Sequence, residues 1–273
     1  MMMVGVSEEH TLLPSRRAFL KTMAGGVLGW GASMLPFTSM VYGATHQARK
    51  ASVIPVTPKV LPEGKVTPLQ AKPYLALMPE LEGLSIAQWT HHLKLYEGYV
   101  KAWNVLSQDS VSQADVPLSI TWHPERERHV EKSFALNGVL FHELYFDALT
   151  SKQQLLTQGR TTPGVLTKRY LEARYGSVER YLAQLMILAK TSRGWVMTAW
   201  VERTASVESF IMDTHAQGVP HGVVPLVVLD VYEHAYMIDF QTNRAAYLDV
   251  WVQAIRWDVV EARFTAWFER TAH

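Results

Sequence analysis

Hydrophobic and polar positions change period as the chain proceeds. From position 86 the apolar residues Ile86, Trp89, Leu93, Tyr96 and Val100 recur at helical spacing, with Ser85 placed to cap them. That pattern predicts a helix to about Leu106. A second stripe, Leu136, Val139, His142 and Phe146, predicts a helix over about Val130 to Ser151, antiparallel to the first. Leu166 to Ala173 and Val178 to Thr191 also read as helices, with Gly176-Ser177 as the cap between them. Past Trp195 the pattern shortens to β-rich runs: Trp195 to Val201, Val207 to Met212, and Val223 to Tyr232. Helices are expected again over Arg244 to Ile255 and Val259 to Glu269. The fold class is therefore α+β. An N-terminal antiparallel helical hairpin (76–153) precedes a C-terminal α/β domain with a three-stranded antiparallel sheet (154–273).

The first 75 residues carry neither period. Ser15-Arg16-Arg17-Ala-Phe19-Leu20-Lys21 is a twin-arginine pattern, followed by a mildly apolar, Gly-rich stretch from Thr22 to Met40. Small residues at Val41-Tyr-Gly43-Ala44 supply a cleavage point after Gly43 or Ala44. Residues 1–43 are thus expected to be an export signal read by the twin-arginine translocation machinery, delivering a periplasmic or otherwise exported protein. The stretch is too weakly hydrophobic to make a stable membrane anchor the better expectation. Residues 44–75, with Pro55, Pro58, Pro62, Pro68 and Pro73, read as a linker or surface arm.

Composition narrows the chemistry. The 273 residues include no Cys, which excludes disulfides, Cys-ligated zinc and iron–sulfur clusters. A net charge of +1, falling to about 0 once residues 1–43 are removed, leaves no footprint for nucleic acid. Any metal must be held by nitrogen and oxygen donors, which suit iron, manganese or zinc better than copper(I). The strongest candidate donors are Asp230 and His234. The run Leu226 to Leu229 reads as a strand covered on both faces, ending in a carboxylate, with an imidazole four residues later. A buried Asp needs a cation or a hydrogen-bond partner, and an Asp–His pair inside a core would look the same as a metal site.

Three blocks together resemble the iron/manganese superoxide dismutase family. They are Leu84-Ser-Ile-Ala-Gln-Trp-Thr-His91-His92-Leu-Lys-Leu-Tyr-Glu-Gly-Tyr99-Val100, Asn137-Gly-Val-Leu-Phe-His142-Glu-Leu-Tyr-Phe146, and Leu229-Asp230-Val-Tyr-Glu-His234-Ala-Tyr236. The resemblance covers roughly residues 75–265. It implies a metal-dependent superoxide dismutase holding one iron or manganese ion per subunit and acting on superoxide, a small anion. A peroxidase-like redox enzyme and a non-catalytic metal-binding descendant of the fold are the alternatives. Carried over residue by residue, the ligands fall on His91, His142, Asp230 and His234; His92 is then expected to point away from the site. Tyr99 matches a tyrosine at the substrate funnel. Members place a solvent-binding glutamine either four residues before the second His, here Gly138, or ahead of the ligand Asp. In that second region His215 is the favoured counterpart and Gln217 its competitor. Trp195, Tyr232 and Phe146 are expected to wall the site. Glu233 matches a residue reaching a partner subunit, which implies a homodimer. Two departures stand out: the family's funnel histidine is Leu95 here, and the tyrosine that partners it is Met237.

Overall fold

The computed structural model describes residues 67–77, 81, 83–108, 123–159 and 161–271. All lie in one compact unit, Val60–His273, within which the hairpin and the sheet-bearing part pack together. The expected export signal and residues 44–66 of the expected arm lie outside the described residues. The described end of that arm is anchored. Leu69 exchanges two hydrogen bonds with the Asn104 side chain, at 2.7 and 2.9 Å.

Helix α1 (Tyr74–Leu77) is a single turn. Helix α2 (Ile86–Leu106) begins where Ser85 Oγ accepts from Gln88 N, and it buries Gln88, Trp89, His92, Leu93, Tyr96 and Val100. Helix α3 (Pro124–Asp147) completes the hairpin and starts six residues before the expected Val130. Its first turns, Pro-Glu-Arg-Glu-Arg, carry no apolar period. They are helical because Pro124 suits the first helical position and Glu125 and Glu127 face the positive end of the helix dipole. The helix stops at Asp147 because residues 148–150 bond elsewhere: Thr150 N donates to Ala254 O and Arg256 N to Ala148 O. Ser151, expected inside that helix, instead caps α4 (Lys152–Gln158).

Helices α5 (Val165–Tyr175) and α6 (Val178–Thr191) lead into the sheet. Strands β1 (Trp195–Val201), β2 (Ser206–Met212) and β3 (Val223–Asp230) form an antiparallel sheet in the order β2-β1-β3. β1 is buried along nearly its whole length, as a central strand covered on both faces should be. The register pairs Trp195 with both Met212 and Asp230, so the site-facing end of the sheet gathers these residues in one row. A 3₁₀ turn (Glu233–Ala235) and α7 (Met237–Phe240) follow, then α8 (Arg244–Ala254) and α9 (Trp257–Thr271). Arg263 of α9, partly buried, donates to Leu226 O at 2.9 Å and Leu144 O at 2.7 Å. One guanidinium thus joins the last helix to β3 and to α3.

Candidate metal centre

Four side chains from four elements meet between the hairpin and the sheet. His92 comes from α2, His142 from α3, Asp230 from the end of β3, and His234 from the 3₁₀ turn. One potential ligand atom from each lies within 4.8 Å of all the others. Asp230 Oδ2 is the hub, with the Nε2 atoms of His92, His234 and His142 at 3.0, 3.2 and 3.6 Å. His92, His142 and Asp230 are buried and His234 is partly so.

The first of these corrects the sequence expectation. His91 is exposed on the outer side of α2, and His92 is the histidine in the cluster. The reason lies in the helix period. Residue 92 is three after Trp89 and four before Tyr96, on the stripe that α2 buries, whereas residue 91 is rotated off it. His91 instead lines a surface depression of about 420 Å³ with Lys94, Leu95, Glu233, His234, Met237 and Ile238. Leu95 and Met237 therefore meet at one mouth, although four residues after His92 stands Tyr96 and not Leu95.

Local geometry fixes each imidazole. His142 Nδ1–H donates to Gly138 O at 2.6 Å, one turn back, which leaves Nε2 unprotonated, buried and without a hydrogen-bond partner. Burial and the neighbouring His92 push the His142 ring well below its ordinary value. Burial lowers His92 too, against the pull of Asp230. Burial also disfavours charge on His234, but the Asp230 carboxylate outweighs it and raises that ring. Burial alone would raise Asp230; the charge and hydrogen bond of His234, with His92, instead hold its carboxyl well below the usual carboxylate range. Asp230 Oδ1 accepts from Tyr232 N at 2.9 Å, and Tyr247 Oη donates to the Asp230 carbonyl at 2.7 Å. A buried carboxylate faced by three imidazole Nε2 atoms, that of His142 unprotonated and unpartnered, is a site that fits a cation.

The surrounding residues separate clearly. His215 is fully buried, with both ring nitrogens unpartnered, and burial lowers it to about 4. Its ring lies 5.8 Å from His142 and 4.8 Å from Tyr99, centroid to centroid. Gln217 is exposed in the turn beyond it. Gly138 explains why the helix cannot supply the solvent-binding group. A Cβ there would meet Tyr99 Cγ at 2.8 Å, so the tyrosine ring already fills the space. Burial, then Asp230 and Tyr232, push the Tyr99 hydroxyl up to about 12. Trp195 and Phe146 are fully buried, with Trp195 5.0 Å from His142 and Phe146 4.9 Å from His92. Tyr232 stacks on His234 at 5.1 Å. Glu233 is exposed.

Three imidazoles and one carboxylate, gathered from a helical hairpin and a three-stranded sheet, define a mononuclear metalloprotein of the nitrogen- and oxygen-donor class. Residues 163–263 match the family model for iron/manganese superoxide dismutases, C-terminal domain. The chain is 33% identical over 188 residues to an iron superoxide dismutase of Aquifex pyrophilus, spanning 67% of this chain and 85% of that one. It is 30% identical to an iron superoxide dismutase of Cupriavidus metallidurans (72% and 96% covered) and 26% identical to a manganese superoxide dismutase of Halobacterium salinarum (72% and 93%). The chain belongs to the iron/manganese superoxide dismutase family.

Proposed function

We propose that this protein is a superoxide dismutase using one iron or manganese ion, held by His92, His142, Asp230 and His234. The observation that carries this reading is the single oxygen, Asp230 Oδ2, faced by three imidazole Nε2 atoms in a largely buried pocket. The orphaned Nε2 of His142 fits a metal ligand and nothing else nearby. When bound, such an ion supplies one-electron redox chemistry between its +2 and +3 states. The net reaction takes two superoxide anions and two protons to dioxygen and hydrogen peroxide.

The chain's own residues supply entry, confinement and hydrogen bonds. Lys94, beside Glu233, lines the depression and offers a small anion a positive contact there. Trp195, Phe146 and Tyr232 keep the interior narrow and dry. His215 presents two unpartnered nitrogens to whatever small molecule occupies the space beside His142. Tyr99, with a hydroxyl raised to about 12, keeps its proton at neutral pH and serves as a hydrogen-bond donor.

The reading extends to assembly and location. The exposed face around Glu233, Leu95, Met237 and Ile238 supports a homodimer through the depression at the mouth. The Ser15-Arg16-Arg17 pattern supports twin-arginine export to the periplasm. The deciding experiment loads purified protein separately with iron and with manganese and follows superoxide decay. Stoichiometric binding without superoxide consumption by either form would replace this reading with the non-catalytic one.

A further inference from the structure

Ser85-x-x-Gln88 has the sequence of a capping box, in which the serine takes the N–H of the third helical residue and the glutamine reaches back to the serine N–H. Ser151 and Gln154 make that box in both directions, at 3.0 and 3.1 Å. At α2 only half of it forms. Ser85 Oγ accepts from Gln88 N at 3.1 Å, but the Gln88 side chain turns away. Gln88 is 1% exposed, and its amide spans to the segment carrying His234. Nε2 donates to His234 O at 2.6 Å and Oε1 accepts from Ile238 N at 2.9 Å. Asp239 takes the place the glutamine left, accepting from Ser85 N at 2.7 Å and Ser85 Oγ at 2.6 Å.

The geometry points to Gln88 as a positioning residue for the metal site, setting the distance between His234 and His92; this rests on the reading of those histidines as ligands. Gln88 lies one turn before His92 on the same buried face of α2. The bonds inside the 3₁₀ turn, Ala235 N to Tyr232 O and Tyr236 N to Glu233 O, fix the shape of the turn alone. Its position against α2 is fixed by bonds that cross between them, and Gln88 makes the bond to the main chain of the ligand itself. The amide suits this task because one planar group offers a donor to a carbonyl and an acceptor to an N–H. Neither Glu nor Leu can do both.

Full-length Gln88→Glu and Gln88→Leu test the assignment, with Gln154→Leu as a matched control that breaks the completed capping box of α4. Gln88→Glu keeps an acceptor for Ile238 N but sets an oxygen against the His234 carbonyl; Gln88→Leu removes both bonds. Each protein is loaded with manganese or iron, then challenged with a chelator, and its electron paramagnetic resonance spectrum is recorded. The Gln88 variants are expected to release metal about tenfold faster than wild type and to show altered spectra, while Gln154→Leu matches wild type in both. If Gln88→Leu fails to fold, the near-isosteric Gln88→Glu decides. Variants indistinguishable from wild type, or differing only as Gln154→Leu does, overturn the role of Gln88. A wild-type chain that binds neither metal overturns the ligand reading beneath it.

Discussion

Replacing His92 by Ala, beside His91→Ala, tests which of two adjacent histidines belongs to the site. His92 is 1% exposed, and its ring packs 4.9 Å from Phe146 and 5.1 Å from His142. Its Nε2 sits 3.0 Å from the buried Asp230 carboxylate. Truncation leaves a cavity and withdraws a partner from a buried charge, which together cost about 2–4 kcal/mol in the metal-free protein. The loaded protein loses more. An ion present at a thousand times its dissociation constant stabilises the native state by about 4 kcal/mol, and most of that disappears with a ligand. At roughly 2–4 °C per kcal/mol for a domain of this size, the loaded protein should melt some 10–30 °C lower. His91 is exposed, so His91→Ala should stay within about 0.5 kcal/mol of wild type. Calorimetry of loaded and stripped protein, with metal content by elemental analysis, reads all of these. Metal loss and a large melting shift in His91→Ala, with His92→Ala unaffected, would refute the geometry.

Burial lowers His215 to about 4 from an ordinary value near 6.5. The neutral ring therefore stabilises the metal-free native state above about pH 6.5, and that contribution, about 3 kcal/mol, is lost as pH falls toward 4. His215→Gln should flatten this part of the difference curve in urea titrations; parallel curves for the two proteins would contradict it. Gly138→Ala places a methyl group 2.8 Å from Tyr99 Cγ. It should cost about 1–3 kcal/mol in thermal unfolding and slow superoxide turnover by displacing the tyrosine; unchanged stability would mean that the ring moves freely.

Most of the architecture was legible because its periods are clean. The N-cap at Ser85, helix α6, strand β1 and the three-stranded antiparallel sheet all follow from local pattern. His142 lies on a buried stripe and Asp230 at a strand end, and His234 follows that carboxylate by four residues. His91 matches the family motif by residue type alone, and the helix period rotates it off the buried face. The apolar stripe of Trp89, Leu93, Tyr96 and Val100 already pointed one residue further along. What the sequence could not show was where side chains go when they leave their own element. Gln88 carries the signature of a local cap and spends its amide on a segment 146 residues away. The burial of His215 and the exposure of Gln217, two residues apart in the turn at 214–217, likewise lie beyond the local pattern.

Arg263 has a consequence for the order in which this protein matures. Its guanidinium binds carbonyls at Leu144 and Leu226, 119 and 37 residues earlier, and so ties together the two elements that deliver His142 and Asp230. Synthesis runs from the N-terminus, so the pocket stays unfastened until Arg263 has left the ribosome. Closure of the pocket accordingly waits on α9, and a chain interrupted before Arg263 would leave α3 and β3 without this tie.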